Sequence, residues 1–138
     1  VRIFVDASAY IAYFNVRDKN HGRAMSFLER VRNREIWPVV FFTSDYVFDE
    51  VVSVILILTG RRDLAARVGD AILSSKITRV IRVNNEIFRR AWDLFKKCKE
   101  KSWTFTDCTS FIIMEMNGIK TAFTFDEHFR EAGYTVVP

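Results

Sequence analysis

The chain is poor in the residues that build disulfide frameworks, zinc knots and phosphate loops. Its 138 residues contain two cysteines, two histidines, two prolines and five glycines. Cys98 and Cys108 form no metal-ligand spacing, so a Cys-rich zinc module and a disulfide scaffold are both excluded. They read as free, partly buried thiols of a reducing compartment. The scattered glycines leave no Gly-rich phosphate loop, and no Pro/Gly-rich linker, repeat or low-complexity tract divides the chain. The longest apolar stretch, Val51 to Leu58 interrupted by Ser53, is far too short to span a bilayer. No signal peptide is apparent, the chain starts at Val1 rather than Met, and the expectation is a cytoplasmic protein without membrane contact.

What is present is a well-filled core and a mild basic excess. Thirteen phenylalanines and an apolar share of 49% describe a globular chain, expected to form one domain over residues 1–138. Lys and Arg exceed Asp and Glu by 4, which permits a polyanionic partner without requiring one. The cations gather in Arg89, Arg90, Lys96 and Lys97, with Arg79, Arg82, Lys99 and Lys101 nearby. They are candidates to hold an RNA backbone, against the plainer reading of a solvated helix face. Trp37, Trp92 and Trp103 are expected in the core, and His21 and His128 in structural roles, because neither histidine neighbours a nucleophile in sequence.

Strands and helices alternate along the chain. Val1 to Val5 reads as a strand buried on both faces. Further strands are expected at Val39–Thr43, Thr78–Val83, Lys120–Phe125 and Tyr134–Val137. Helices are expected from Ser8 to Phe14, after Asn20, from Ser44 or Asp45 to about Leu58 with Gly60 as its stop, and over residues 62–74. Three more are expected: from Asn84 or Asn85 to about Lys99, from a Thr106 cap to Asn117-Gly118, and over Glu127–Glu131. This pattern predicts an α/β protein, a sandwich of helices around a central parallel sheet of four to five strands. The stretch after Glu50, Val-Val-Ser-Val-Ile-Leu-Ile-Leu, is apolar on every side, so part of that helix is expected to meet a second subunit or another partner.

Four acids sit where strands and helices meet: Asp6 after the first strand, Glu50 inside a helix, Asp107 in a first turn and Asp126 after Thr121–Phe125. Ligands of open parallel sheets bind beyond the carboxyl ends of the strands. Two carboxylates about 4 Å apart repel by roughly 4 kcal/mol at an effective dielectric near 20, so converging acids call for a cation or a proton. An all-oxygen set suits Mg²⁺ or Mn²⁺, one or two ions, and the chemistry would be phosphodiester hydrolysis by activated water. Taken singly, Asp126 reads equally as an N-cap, Asp107 as a helix-dipole partner and Glu50 as a solvated residue. Only their joint placement points to a site.

Four segments in order resemble the PIN-domain family over essentially the whole chain: Ile3-Phe4-Val5-Asp6-Ala7-Ser8, Thr43 to Val52 with Glu50, Phe105-Thr106-Asp107-Cys108, and Ala122 to Phe129 with Asp126. The resemblance implies a three-layer α/β/α sandwich and a Mg²⁺- or Mn²⁺-dependent ribonuclease leaving 5′-phosphate and 3′-hydroxyl ends. It implies Asp6, Glu50, Asp107 and Asp126 as catalytic, metal-binding acids, with Ser8, Thr106 and Thr124 as polar groups orienting them. Small members of the family are commonly VapC-type toxins, homodimeric and restrained by a VapB-like antitoxin. The alternatives are a catalytically silent RNA-binding or scaffolding module and a PIN nuclease of RNA processing without an antitoxin. Phosphotransfer folds with an Asp at the first strand fit less well, since residue 8 is Ser where an Asp-x-Asp motif needs a second acid.

Overall fold

The first strand, β1 (Arg2–Val5), lies at the centre of the sheet because its side chains are apolar on both faces. Ile3 and Val5 point into one core, Phe4 into the other. The structure, a computed structural model, describes all residues from Val1 to Pro138. The elements follow as α1 (Ala7–Phe14), α2 (His21–Arg32), β2 (Val40–Ser44), α3 (Asp45–Thr59), α4 (Arg62–Ser74), β3 (Thr78–Ile81), α5 (Asn85–Lys97), α6 (Phe105–Asn117), β4 (Thr121–Phe123), α7 (Glu127–Glu131) and β5 (Thr135–Val137). Five strands pair in the order β3-β2-β1-β4-β5, every pair parallel. Helices cover both faces, which gives the three-layer sandwich that the sequence predicts.

The chain first builds outward from β1 through β2 to β3, then crosses to the other side with β4 and β5. The order therefore reverses at the β1–β4 pair, where Ile3, Phe4 and Val5 face Thr121, Ala122 and Phe123. Two strand ends open a crevice there. Asp6 follows β1 directly, and its backbone N–H donates to Phe123 O at 3.0 Å, tying the two ends together.

Local sequence sets most helix ends. Ser44 caps α3 by accepting from Val47 N at 3.0 Å, and Asn84 caps α5 by accepting from Ile87 N at 2.9 Å. Gly60 and Gly118 end α3 and α6 in the left-handed conformation, with φ of 67° and 63°. Arg2 reaches across to donate to Asn117 O and Gly118 O at 2.6 and 3.1 Å, placing a cation on the negative end of α6. One expected cap is corrected: α6 starts from Thr104, not Thr106. Thr104 Oγ1 accepts from Asp107 N at 3.1 Å, while Asp107 Oδ2 accepts from Thr104 N at 2.9 Å. This reciprocal box satisfies two donors that a Thr106 cap would leave open.

The all-round apolar helix α3 is covered more fully than expected. Val47, Val51 and Ile55 face the core, and Phe48 and Val52 are met by α4, where Gly69 lets the helices approach. A Cβ on Gly69 would lie 3.0 Å from Phe48 Cζ. Val52, Val54 and Leu56 stay half-buried, and the most exposed apolar residues are in the last turn, with Ile57 79% and Leu58 59% exposed. Core placement fails for two tryptophans: Trp37 and Trp92 are 53% and 41% exposed, whereas Trp103 packs on Phe111. No helix is long and apolar enough to cross a membrane.

Candidate active site

Asp6 enters the crevice at the end of β1, where the strand gives way to α1. Its carboxylate is buried and anchored mainly through one oxygen. Oδ2 accepts from Ser8 Oγ at 2.9 Å, Thr124 Oγ1 at 2.9 Å and Ser8 N at 3.4 Å. Ser8 Oγ and Thr124 Oγ1 lie 3.0 Å apart, and Ser8 Oγ also accepts from Phe125 N at 2.9 Å. The other oxygen, Oδ1, takes none of these three bonds, and the Ala7 backbone N–H adds a weaker stabilisation of the ionised carboxylate. Burial raises the Asp6 pKa against the hydrogen bonds of Thr124 and Ser8, and the nearby Asp107 charge raises it further.

Asp107 repeats the arrangement on α6. Its Oδ2 takes the Thr104 N–H and lies 2.8 Å from His128 Nδ1, leaving Oδ1 without a protein donor. Asp126 repeats it again as the N-cap of α7. Its Oδ1 accepts from His128 N at 3.0 Å and lies 3.3 Å from His128 Nδ1, and Oδ2 is left over. Asp126 N in turn donates to Thr124 Oγ1 at 3.0 Å, so Thr124 bridges Asp6 and Asp126. Glu50 is half-buried on α3 and makes no hydrogen bond. Burial pushes its pKa up to about 7, assisted by the charges of Asp6, Asp107, Asp126 and Asp49 in that order. Glu50 therefore sits in the field of the three aspartates, which are joined to one another through Thr124 and His128.

The supporting cast differs in part from expectation. Ser8 and Thr124 touch Asp6 directly. Thr106 orients none of the four acids: its carbonyl accepts from the Thr109 and Ser110 hydroxyls, at 2.6 and 3.1 Å. Thr104 and His128 hold Asp107 instead. The picture of a site without histidine is revised, since Asp107, Asp126 and His128 bring ligand atoms within 4.8 Å of one another; the structural role expected of His128 is to hold Asp107. Burial lowers the His128 pKa, but the hydrogen bond to Asp107 and the charges of Asp126 and Asp107 outweigh it, and the net shift is upward. The Asp126-Glu127-His128 spacing is the signal that points to it: an N-cap aspartate and a residue two positions later share the first helical turn. His21 has no such place; its Nδ1 lies 2.8 Å from Ala12 O. Arg89, Arg90, Lys96 and Lys97 are exposed on α5, where Arg90 pairs with Glu86 at 2.9 Å and Lys96 lies 3.7 Å from Asp93.

The donor set fits a hard divalent cation. Three aspartates each have one oxygen tied to protein and one left over, and a fourth carboxylate has no protein partner. Such a set is rich in oxygen donors, with His128 as its single nitrogen.

The family profile of the PIN domain matches residues 3–133. The chain belongs to the PIN-domain family. Among relatives of this PIN domain is the 23S rRNA-specific endonuclease VapC20 of Mycobacterium tuberculosis, 33% identical over an alignment of 138 positions that covers 98% of this chain and 97% of that protein. The crystal structure of Mycobacterium tuberculosis VapC20, described as a Sarcin-Ricin loop cleaving toxin, superposes with a TM-score of 0.84 at 34% identity, covering 99% of both chains. FitAcB from Neisseria gonorrhoeae superposes with a TM-score of 0.63 at 14% identity over 99% of this chain and 96% of that one, and shares the PIN fold.

Proposed function

We propose that this PIN domain is a metal-dependent endoribonuclease, the toxin of a type II toxin–antitoxin pair, with Asp6, Glu50, Asp107 and Asp126 as its metal-binding catalytic acids. The observation that carries the reading is the repeated half-tied carboxylate. Protein groups fix the rotamer of each aspartate and leave one oxygen for a ligand. A purely structural N-cap at Asp126 or capping box at Asp107 would account for the tied oxygen, but not for four acids gathered against their mutual repulsion. Identity of 33% to an rRNA endonuclease over 98% of the chain supports the same assignment.

The chemistry that Mg²⁺ or Mn²⁺ supplies in such a site is activation of a water and neutralisation of phosphate charge. The residues of the chain do the rest. Ser8 and Thr124 hold Asp6, and Thr104 and His128 hold Asp107. His128 also steadies Asp126, so the three aspartates are preset before substrate arrives. Glu50, with a pKa near neutrality and no partner, can keep or release a proton at its carboxyl as charge enters the pocket. The exposed cations of α5 are the proposed contacts to the RNA backbone, outside the acidic pocket.

The same reading includes a homodimer held in check by a VapB-like antitoxin. The exposed Ile57 and Leu58 at the end of α3 supply apolar surface for a partner. The test is direct. Purified protein is incubated with 23S rRNA, then with total RNA, in Mg²⁺, Mn²⁺ or EDTA, and the new ends are sequenced. Discrete metal-dependent cuts with 5′-phosphate ends are expected. Intact RNA under every condition would leave the silent scaffold as the better reading.

A further inference from the structure

Beside the acidic pocket, α5 exposes a group of aromatic side chains that the catalytic acids do not use. Phe88, Trp92 and Phe95 are 48%, 41% and 41% exposed. They occur at i, i+4 and i+7, one face of the helix. Trp92 and Phe95 stack with ring centroids 5.7 Å apart and planes 9° apart. Phe105 stands behind them, 5.1 Å from Phe88 and 6.2 Å from Trp92, edge-on to both. Phe88, Arg89, Trp92 and Phe105 line an open recess of about 410 Å³. The supporting ring is half-buried while the outer rings stay exposed, an unfavourable arrangement for a residue type that carries so much apolar area.

Two residues connect the recess to the helices that carry Asp107 and Glu50. Phe105 opens the helical turn that carries Asp107. Tyr46, whose ring lies 6.0 Å from Phe105, precedes Glu50 by one helical turn on the same face of α3. The rim of the recess is cationic. Along α5, Arg89, Arg90, Lys96 and Lys97 outnumber Glu86 and Asp93 by two, and Lys96 Nζ lies 5.8 Å from the centre of the Trp92 ring. Exposed aromatic faces set between cations, at the edge of a phosphodiester site, match unpaired nucleobases with their phosphates. Pairing this face with a second copy would set one cationic rim beside another with too few acids between them.

We infer that the Phe88–Trp92–Phe105 recess is a base-stacking subsite, which receives an unpaired nucleobase of the RNA near the bond to be cut while Arg89 and Lys96 hold flanking phosphates. The inference rests on the ribonuclease reading for its ligand, but not for its geometry. It makes the substrate single-stranded or looped at this position, because a base must leave its stack to enter.

The test measures binding in EDTA, so that no bond is cut. The probes are a single-stranded octamer of riboadenylate and an octamer of the same backbone with its internal bases removed. Riboadenylate is expected to quench tryptophan emission and to bind more tightly than the abasic strand. Trp92→Ala and Phe88→Ala should each weaken riboadenylate binding by about tenfold, within the range of one base–aromatic stack. Abasic binding should not change, most of the quench should vanish in Trp92→Ala, and Trp92→Phe should restore affinity. Equal affinity of wild type for both strands, or equal loss for both in Trp92→Ala, overturns the proposal. So does a Trp92→Ala protein that sediments as a monomer where wild type is a dimer, yet keeps its preference for bases; the face would then belong to a second copy. Absence of cleavage with Mn²⁺ alongside intact base preference would sink the nuclease reading and leave the stacking subsite standing.

Discussion

His128 Nδ1 lies 2.8 Å from Asp107 Oδ2 and 3.3 Å from Asp126 Oδ1, so one imidazole joins two acids that are 19 residues apart in sequence. In the ion-free protein its hydrogen bond to Asp107 and the charges of Asp126 and Asp107 favour the protonated ring. With a cation present, it fixes which oxygen of each aspartate faces inward. His128→Ala should therefore raise the Mn²⁺ concentration needed for half-maximal cleavage by about 10–100-fold, the usual cost of losing a group that orients a metal-holding carboxylate. Cleavage rate against Mn²⁺ concentration measures it. A shifted metal midpoint with a smaller fall in the saturated rate is expected; an unchanged midpoint would show that His128 does not position Asp107.

Asp6→Asn and Asp107→Asn should each lower cleavage by at least about 100-fold, as loss of a group acting on developing charge does. The fold should persist in both. The metal-free melting temperature of Asp6→Asn should equal or exceed that of wild type, because the change removes a buried charge that Asp107 repels. Circular dichroism melts and an RNA cleavage assay test the two halves separately. Cleavage at the wild-type rate by both variants would remove these residues from the chemistry.

Metal-free stability should depend on pH with a definite sign. Burial and neighbouring acids raise the Glu50 pKa from 4.5 to about 7. In that window the folded state binds more protons than the unfolded state, so stability is fullest below pH 4.5 and declines as pH rises toward 7 and a little beyond. The raised His128 pKa acts in the same direction, since its contribution is lost as the imidazolium deprotonates. Melting temperature in EDTA should fall between about pH 5 and 8, and Glu50→Gln should flatten the decline. Saturating Mg²⁺ or Mn²⁺ should raise melting most at the high end, where the acids are ionised. A metal-free melting profile that is flat or rises with pH would contradict the coupling.

Thr104 offers a test of the corrected cap. Thr104→Val keeps the shape but removes the hydroxyl that accepts from Asp107 N, and should cost about 1 kcal/mol of stability. Thr106→Val should leave the cap intact. Chemical denaturation of the two variants separates them, and the larger loss is expected at Thr104.

Much of this molecule is legible in its amino-acid order. Apolar β-branched runs mark the five strands, and their alternation with helices implies a parallel sheet. Ser44, Asn84, Gly60 and Gly118 mark helix ends because capping is settled within four residues of chain. The choice between Thr104 and Thr106 is open to the same reasoning, since Thr104-Phe105-Thr106-Asp107 carries the box spacing. Two threonines in one turn compete, however, and only hydrogen-bond geometry separates them. Trp92 reads as core for a related reason: an aromatic on a helix looks buried until the neighbouring helix is known to cover another face.

The amino-acid order alone determined the layering of this protein and the arrival of Asp6 and Asp126 at strand ends, because period, caps and strand runs are local properties. Which carboxylate oxygen is tied and which is left over, how His128 falls between two aspartates, and where α5 leaves its aromatic faces uncovered were decided by the tertiary structure. These depend on contacts between segments up to 118 residues apart, as between Asp6 and Thr124. No local pattern encodes them, because the partner of each group is chosen by packing.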